Sequence, residues 1–429
     1  MISRRSLPIA LAVLPVIAIG LRGGQVPAPI VTPFKTSGIY GESESAGWKV
    51  TFPAGTTAKY TYSIKENNSV VLQSVDLTPE GTASLETILN HPGMLCLQIT
   101  PKGGGRGWSY GAAVAPTKLK PVIAKPKDFF SFWHNRIDEL HKVPENARLV
   151  LEKSYKPDVA FFTIQMDHVN NTHVYGHLAK PAKAGKYPAL LILQWASPPY
   201  PLQNSWVIER AAEGWLTLNI EPHDVLPDGP PSYYQGLPTA IKSYASIGQE
   251  DRDRSYFVEM YLRDYRAVDY LTHCPDWDGK TIVVMGTSMG GQQSLCVAGL
   301  HPKVTHVIVE EPAGCDMNAA LHGRQQGYPN FPPSNAKVMA AAQYVDPINF
   351  ASHIRATSLV AMGFVDTIAP PTGIWTAFNQ IRGPKEAAPM PEAPHNNTAT
   401  QEQQLPYFTR ATAWLNALVK GQKVEVKKN

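Results

Sequence analysis

Apolar and polar positions follow two rhythms along this chain. Between about Val31 and Val114 they alternate in short runs, Trp48–Phe52, Ala58–Ile64, Ser69–Gln73 and Met94–Thr100. Turn formers separate the runs: Pro53-Ala-Gly55, Glu66-Asn-Asn68 and His91-Pro-Gly93. A period of two, punctuated in this way, predicts half-buried strands in a small antiparallel sandwich, with an immunoglobulin-like arrangement as the first expectation. After residue 128 the runs become solidly apolar and are separated by helix-compatible stretches. Ala189–Gln194, Trp215–Ile220, Ile282-Val-Val284, Thr305–Val309 and Ser358–Asp366 are the strand candidates. Continuous apolar strands alternating with helices predict a mostly parallel, doubly wound sheet covered on both faces. The expected layout is a sandwich over 30–114, a linker over 115–127 carrying Pro116, Pro121 and Pro126, and an α/β domain over 128–421.

One strand-to-helix junction carries chemistry. The run Ile282-Val-Val-Met285 feeds Gly286-Thr-Ser288-Met-Gly290, and a helix-compatible segment follows. That context reads as a nucleophile elbow, a sharp turn that lifts Ser288 Oγ clear of the sheet. The amide of Met289 then points to where an oxyanion would form. Sheets with such an elbow supply the acid and the base in the order serine, acid, histidine. Asp366 follows the strand ending at Phe364-Val365, on the rim where these sheets carry their sites. His395 lies in the polar loop Pro391–Asn397, ahead of a last helical stretch from Gln404 to Lys420.

The remaining histidines fit other roles. His301 suits the carbonyl end of the elbow helix, His306 lies within a strand, and His322 and His353 precede the acid and so break the order. His223, in Ile220-Glu-Pro-His-Asp224, is expected on the wall of the substrate pocket and is the one competing base. A second oxyanion donor is expected from the loop Trp195-Ala-Ser-Pro-Pro199, from the amide of Ala196 or Trp195, because the two prolines carry no N–H. Trp195 itself is expected in the pocket.

From about residue 115 to 420 the chain resembles the acetyl xylan esterase and cephalosporin-C deacetylase family of carbohydrate esterases, which have the α/β-hydrolase fold. The resemblance rests on Asp128-Phe-Phe-Ser-Phe-Trp133, Val174-Tyr-Gly-His-Leu-Ala-Lys-Pro181, Arg263-Asp-Tyr-Arg-Ala-Val-Asp-Tyr-Leu271, Trp277-Asp-Gly-Lys-Thr-Ile282 and the segment ending Asp366-Thr-Ile-Ala-Pro-Pro371. It implies Ser288, Asp366 and His395 as a triad, and O-acetyl groups on xylan or xylo-oligosaccharides as substrate. The chain departs from the family in three places. Gln194-Trp-Ala196 replaces His-Gly-Tyr, Asn219–Asp224 replaces an Arg-Gly-Gln segment, and Asn396 replaces the glutamate after the histidine.

Composition narrows the setting. The net charge of +4 loses Arg4, Arg5 and Arg22 if the leader is cleaved, which leaves about +1, and no basic run suggests a nucleic-acid partner. Arg4-Arg5 followed by Leu7–Leu21, broken by Pro8 and Pro15, reads as a signal peptide over 1–24 and predicts a periplasmic or secreted protein without stable membrane insertion. Cys96, Cys274, Cys296 and Cys315 allow at most one bridge within the α/β domain, and their spacing fits no metal site. No cofactor is expected, and an oligomer is compatible with the sequence. The expected activity is that of an exported serine esterase acting on an acetylated carbohydrate or another small ester. A serine peptidase of the prolyl-oligopeptidase type and a non-catalytic carbohydrate-binding hydrolase fold are the alternatives. Trp48 and Trp108 are candidate sugar platforms, although an aromatic in a sandwich is usually core.

Overall fold

The computed structural model describes residues 26–427; the expected signal peptide lies outside the described residues. The first region folds into eight strands, β1 (Ile30–Pro33), β2 (Ile39–Tyr40), β3 (Ser45–Thr51), β4 (Tyr60–Glu66), β5 (Val70–Leu77), β6 (Thr82–Ile88), β7 (Gly93–Pro101) and β8 (Trp108–Val114). They form a three-stranded sheet, β1-β3-β6, against a five-stranded sheet, β2-β8-β7-β4-β5. Pairing is antiparallel except between β2 and β8, which run parallel. The alternation read from the sequence becomes inward and outward faces: Trp48, Val50, Tyr60, Ile64, Leu97 and Ile99 are buried between the sheets. Trp48, only 1% exposed, is core and presents no face to a sugar. Trp108 leans on Tyr60 with ring centroids 6.4 Å apart.

The second region is built on nine strands, β9 (Arg148–Glu152), β10 (Val159–Asp167), β11 (His173–Pro181), β12 (Tyr187–Leu193), β13 (Leu216–Ile220), β14 (Trp277–Thr287), β15 (His306–Glu310), β16 (Thr357–Gly363) and β17 (Lys385–Met390). Their order is β17-β16-β15-β14-β12-β13-β11-β10-β9. The six strands from β17 to β13 are parallel, and β11, β10 and β9 add an antiparallel edge. Along β12 the residues Ala189, Leu191 and Leu193 face one core and Leu190 and Ile192 the other, so the strand is apolar throughout because both faces are covered. The helices Phe129–His141, Tyr256–His273, Met289–Leu300 and Pro371–Gln380 contribute to the first core. Gln401–Val419 covers the second face, and Asn204–Ala212 packs over β10 and β11.

The chain leaves β12 toward the Asn204–Ala212 helix and leaves β14 toward Met289–Leu300 on the opposite face. Adjacent strands whose connections diverge in this way open a crevice at their carboxyl ends, where ligands bind in open α/β sheets. Leu193 and Gly286 are register partners at that point.

The stretch expected as a linker is held fast. Leu119 is buried, and Asn379 donates its side-chain amide to the carbonyls of Pro116 and Leu119, each at 2.9 Å. The sandwich also sits directly against the α/β domain. A Cβ added to Gly111 would lie 2.3 Å from Cβ of Phe364, and the Gly111 N–H reaches the Pro391 carbonyl at 3.2 Å. Gln325 ties the two together by accepting from Asn68 Nδ2 at 2.5 Å and donating its side chain to the Thr367 carbonyl at 3.0 Å. The four cysteines are free thiols. Among the described residues no helix is long and apolar enough to cross a membrane.

Candidate active site

Ser288 is the N-cap of the Met289–Leu300 helix and holds φ +55°, ψ −117°, a conformation that costs a non-glycine residue energy and persists only where the surroundings fix it. Here they do. Its N–H donates to the Glu310 carbonyl at 2.9 Å, and its own carbonyl accepts from Gln292 and Ala313, both at 3.0 Å. The two motif glycines are required by space: a Cβ on Gly290 would fall 1.9 Å from the Leu193 carbonyl oxygen, and one on Gly286 2.5 Å from that of Gly290. The elbow is thus wedged tightly against the end of β12, and the first-turn N–H groups of its helix have no acceptor within the helix.

Asp366 and His395 arrive on the loops after β16 and β17, on the same rim. His395 Nε2 is 2.9 Å from Ser288 Oγ, and its Nδ1 is 2.7 Å from Asp366 Oδ2. A carboxylate only accepts, so Nδ1 carries the hydrogen and Nε2 presents its lone pair to the serine hydroxyl. The other Asp366 oxygen accepts the N–H groups of Ile368 and Ala369 at 2.7 and 2.9 Å, which fixes the carboxylate. The His395 carbonyl in turn accepts from the N–H groups of Thr398 and Ala399. The three residues expected to act together lie in one hydrogen-bonded line.

The loop after β12 is pinned at two carbonyls. Gln293 donates its side chain to the Gln194 carbonyl at 2.8 Å, and His223 Nε2 reaches the Ala196 carbonyl at 2.5 Å. His223 is fully buried, and its two ring nitrogens are engaged by Ala196 and Tyr256. Because Nε2 faces an acceptor it carries the hydrogen, so Nδ1 accepts from the Tyr256 hydroxyl at 2.8 Å. Burial lowers its pKa to about 4, which keeps the ring neutral. Met289, the residue after Ser288, and Ala196 are both buried. Trp195 is 38% exposed and meets Trp206 and Tyr200 edge-on at 5.6 and 6.1 Å. It lines a cavity of about 450 Å³ with Ile192, Trp206, Met285, Thr287 and Asn396, whose last two members adjoin Ser288 and His395 in the chain.

One residue beside the site was not anticipated. Glu311, just past β15, is fully buried with Oε2 3.5 Å from His395 Nδ1. Burial first, and then the charges of Asp366 and Glu310, hold its carboxyl well above the usual range. Its neighbour Glu310 is pushed up to about 7 by burial, against a hydrogen bond from Thr287 that lowers it. In sequence the pair reads as two turn acids after a strand, and the hydrophobic period gives no sign that both point inward. Glu311, Asp366 and His395 are also close enough, with donor atoms within 4.8 Å of one another, to hold an ion. The Nδ1–H of His395 is already engaged by Asp366 in that set, which favours the serine network over a metal site.

The chain matches the acetyl xylan esterase (AXE1) family over residues 117–411. It is 33% identical over 325 residues to the acetyl esterase Axe7A of Xylanibacter ruminicola, covering 72% of each chain. Among solved structures, the acetyl xylan esterase from Paenibacillus sp. R4 superposes with a TM-score of 0.58 at 23% identity, over 69% of this chain and 98% of that one. Acetyl xylan esterase 1 from Thermoanaerobacterium sp. JW/SL YS485 does so with a TM-score of 0.57 at 21% identity, over 71% and 97%. These two share the α/β-hydrolase fold of the second region. By its matched length and the identity to its relative, the chain belongs to the acetyl xylan esterase family and is a carboxylic ester hydrolase.

Proposed function

We propose that this esterase is exported and removes O-acetyl groups from xylan or xylo-oligosaccharides through an acyl-enzyme formed on Ser288. The observation that carries the reading is the single imidazole of His395 bridging Ser288 Oγ at 2.9 Å and Asp366 Oδ2 at 2.7 Å. As Ser288 Oγ attacks the ester carbonyl, its proton passes to His395 Nε2, and Asp366 stabilises the imidazolium. The amides of Met289 and of Ala196 or Trp195 face the developing oxyanion. Collapse of the tetrahedral intermediate returns the proton to the departing sugar oxygen. Water, activated by the same imidazole, then releases acetate. The leader Arg4-Arg5 with Leu7–Leu21 supports export to the periplasm or beyond. The half-exposed Trp195, with Trp206 on the wall of the same cavity, supports an aromatic surface suited to a sugar ring.

In the decisive experiment, acetate release from acetylated xylo-oligosaccharides is measured for the wild type and Ser288→Ala. The wild type should release acetate and, if Trp195 narrows the acyl site, hydrolyse acetyl esters far faster than butyryl esters, because a narrowed site penalises added methylenes. Ser288→Ala should be folded and slower by about 10⁴- to 10⁶-fold. A folded Ser288→Ala protein that keeps a tenth of the activity removes Ser288 from the chemistry; wild type that releases no acetate from the oligosaccharides removes the substrate class.

A further inference from the structure

Glu311 has no part in the mechanism above, yet it occupies a place that a merely structural residue does not need. Its backbone N–H is tied to the Ala361 carbonyl of β16 at 2.9 Å, and it holds φ +47°. Its Oε2 accepts the N–H of Asn396, the residue after His395, at 2.6 Å. The same oxygen lies 3.5 Å from His395 Nδ1, the ring nitrogen that Asp366 engages at 2.7 Å. Its Oε1 is buried with no hydrogen-bond partner. Two fully buried carboxyl groups therefore converge on one imidazole N–H.

We propose that Glu311 is a second acid for His395, a positioning residue that rests protonated while Asp366 carries the charge and takes over the Nδ1–H bond when Asp366 cannot hold it. The inference rests on the reading of Ser288 and His395 as nucleophile and base. The charge count explains the resting state. Beside the neutral resting imidazole, Asp366 already places one carboxylate in this dry pocket, and a second would add like-charge repulsion to its own desolvation. The titratable groups facing Glu311 are Asp366, His395 and the adjacent Glu310, and no lysine or arginine forms an ion pair with it among the described residues. When Asp366 loses its charge, the Glu311 carboxyl releases its proton to solvent and its carboxylate accepts the Nδ1–H. Closing 3.5 Å to a hydrogen-bond distance requires a shift of less than 1 Å in a side chain with two methylenes.

The test is a double-mutant cycle read as kcat against pH on a small acetyl ester, with Asp366→Ala, Glu311→Gln and the double variant, each checked for folding. Glu311→Gln should stay within a few-fold of wild type, since it replaces one neutral acceptor of the Asn396 N–H by another. Asp366→Ala should lose only 10- to 100-fold and gain a new rise in kcat toward alkaline pH as Glu311 ionises. The double variant should fall by about 10⁴-fold and lose that rise, as expected of an imidazole with no acid partner. If Asp366→Ala alone falls about 10⁴-fold with no alkaline rise, and adding Glu311→Gln changes nothing, the proposal is overturned. Acetate added to Asp366→Ala guards against a merely damaged loop: restored activity without any Glu311-dependent rise assigns the role to Asp366 alone and also overturns it. Neither result touches Ser288, whose own variant tests the underlying reading separately.

Discussion

His223 supplies polarity without charge. Its Nε2–H holds the Ala196 carbonyl and its Nδ1 takes the Tyr256 hydroxyl, so the ring ties the loop that flanks the serine to the start of the Tyr256–His273 helix. Replacing it with phenylalanine keeps the volume and leaves the buried Ala196 carbonyl unpaired, at about 1–3 kcal/mol, and the half-buried Tyr256 hydroxyl without its partner. His223→Phe should therefore lower the urea midpoint and reduce kcat by about 10- to 100-fold through a loosened loop, while the alkaline plateau of the rate profile stays where it was. An unchanged kcat in a destabilised His223→Phe protein would confine the residue to folding. Ser288 and Asp366 were legible in the sequence because each follows a solid apolar strand, and His395 because its polar, proline-punctuated loop fills the remaining place in a fixed order. Glu311 was not, because two consecutive acids after a strand look alike whether they face water or the core, and only the three-dimensional closure of the loops after β15, β16 and β17 buries one against the imidazole.

At the scale of elements, the seam between β8 and the loop after β16 decides how well the acid is placed. Gly111 presents bare backbone to Phe364, two residues before Asp366, and its N–H meets Pro391, four residues before His395. A side chain at Gly111 has to push one of these loops aside, and overpacking of that kind costs roughly 1–3 kcal/mol. Gly111→Val should lower kcat more than it raises KM, since the displaced groups orient the imidazole and do not bind the ester. Paired measurements of kcat and KM on one acetyl ester settle it, with equal effects on both arguing for a disturbed binding surface. The strand β16 was readable as a solid apolar run, whereas neither β8 nor the seam was. Nothing in Tyr110-Gly111-Ala112 marks the glycine as an interface position, because the partner that excludes a side chain lies more than two hundred residues later.

For the molecule as a whole, the buried acids set how stability responds to pH. Glu310 and Asp346 are each pushed up to about 7, mainly by burial, and Glu311 is raised further in the same direction. Between the ordinary carboxylate range and these raised values the folded chain holds protons that the unfolded chain has released. The folded state is thus favoured at the acid end of that window and loses stability as pH climbs through it, by up to about 1.4 kcal/mol per pH unit for each group. Buried neutral histidines such as His223 act in the opposite sense, so the contribution of one acid is isolated by difference: the urea midpoint of Glu310→Gln should fall less, or rise more, than that of wild type between about pH 5 and pH 7. Identical pH slopes for Glu310→Gln and wild type would contradict the buried, proton-holding state of Glu310. The two-part architecture was readable from the change of rhythm near residue 128, whereas the contacts that join its halves were not, since the partners of Leu119 and Gly111 lie more than two hundred residues later.

Those contacts bear on how this esterase can be rebuilt. The front sandwich is a tempting cassette to exchange when a laboratory wants to retarget a polysaccharide enzyme, because its borders are clean and its own core is complete. Yet it meets the hydrolase at a point where the donor must offer no side chain and must leave one amide free for Pro391. A graft chosen only for its sugar preference will meet Phe364 with a methyl group or more. Its catalytic rate will then carry the mark of a poor joint, even when both halves fold and the new ligand binds. Recombination libraries should therefore be screened first for a glycine at that one place and only then for what the module recognises.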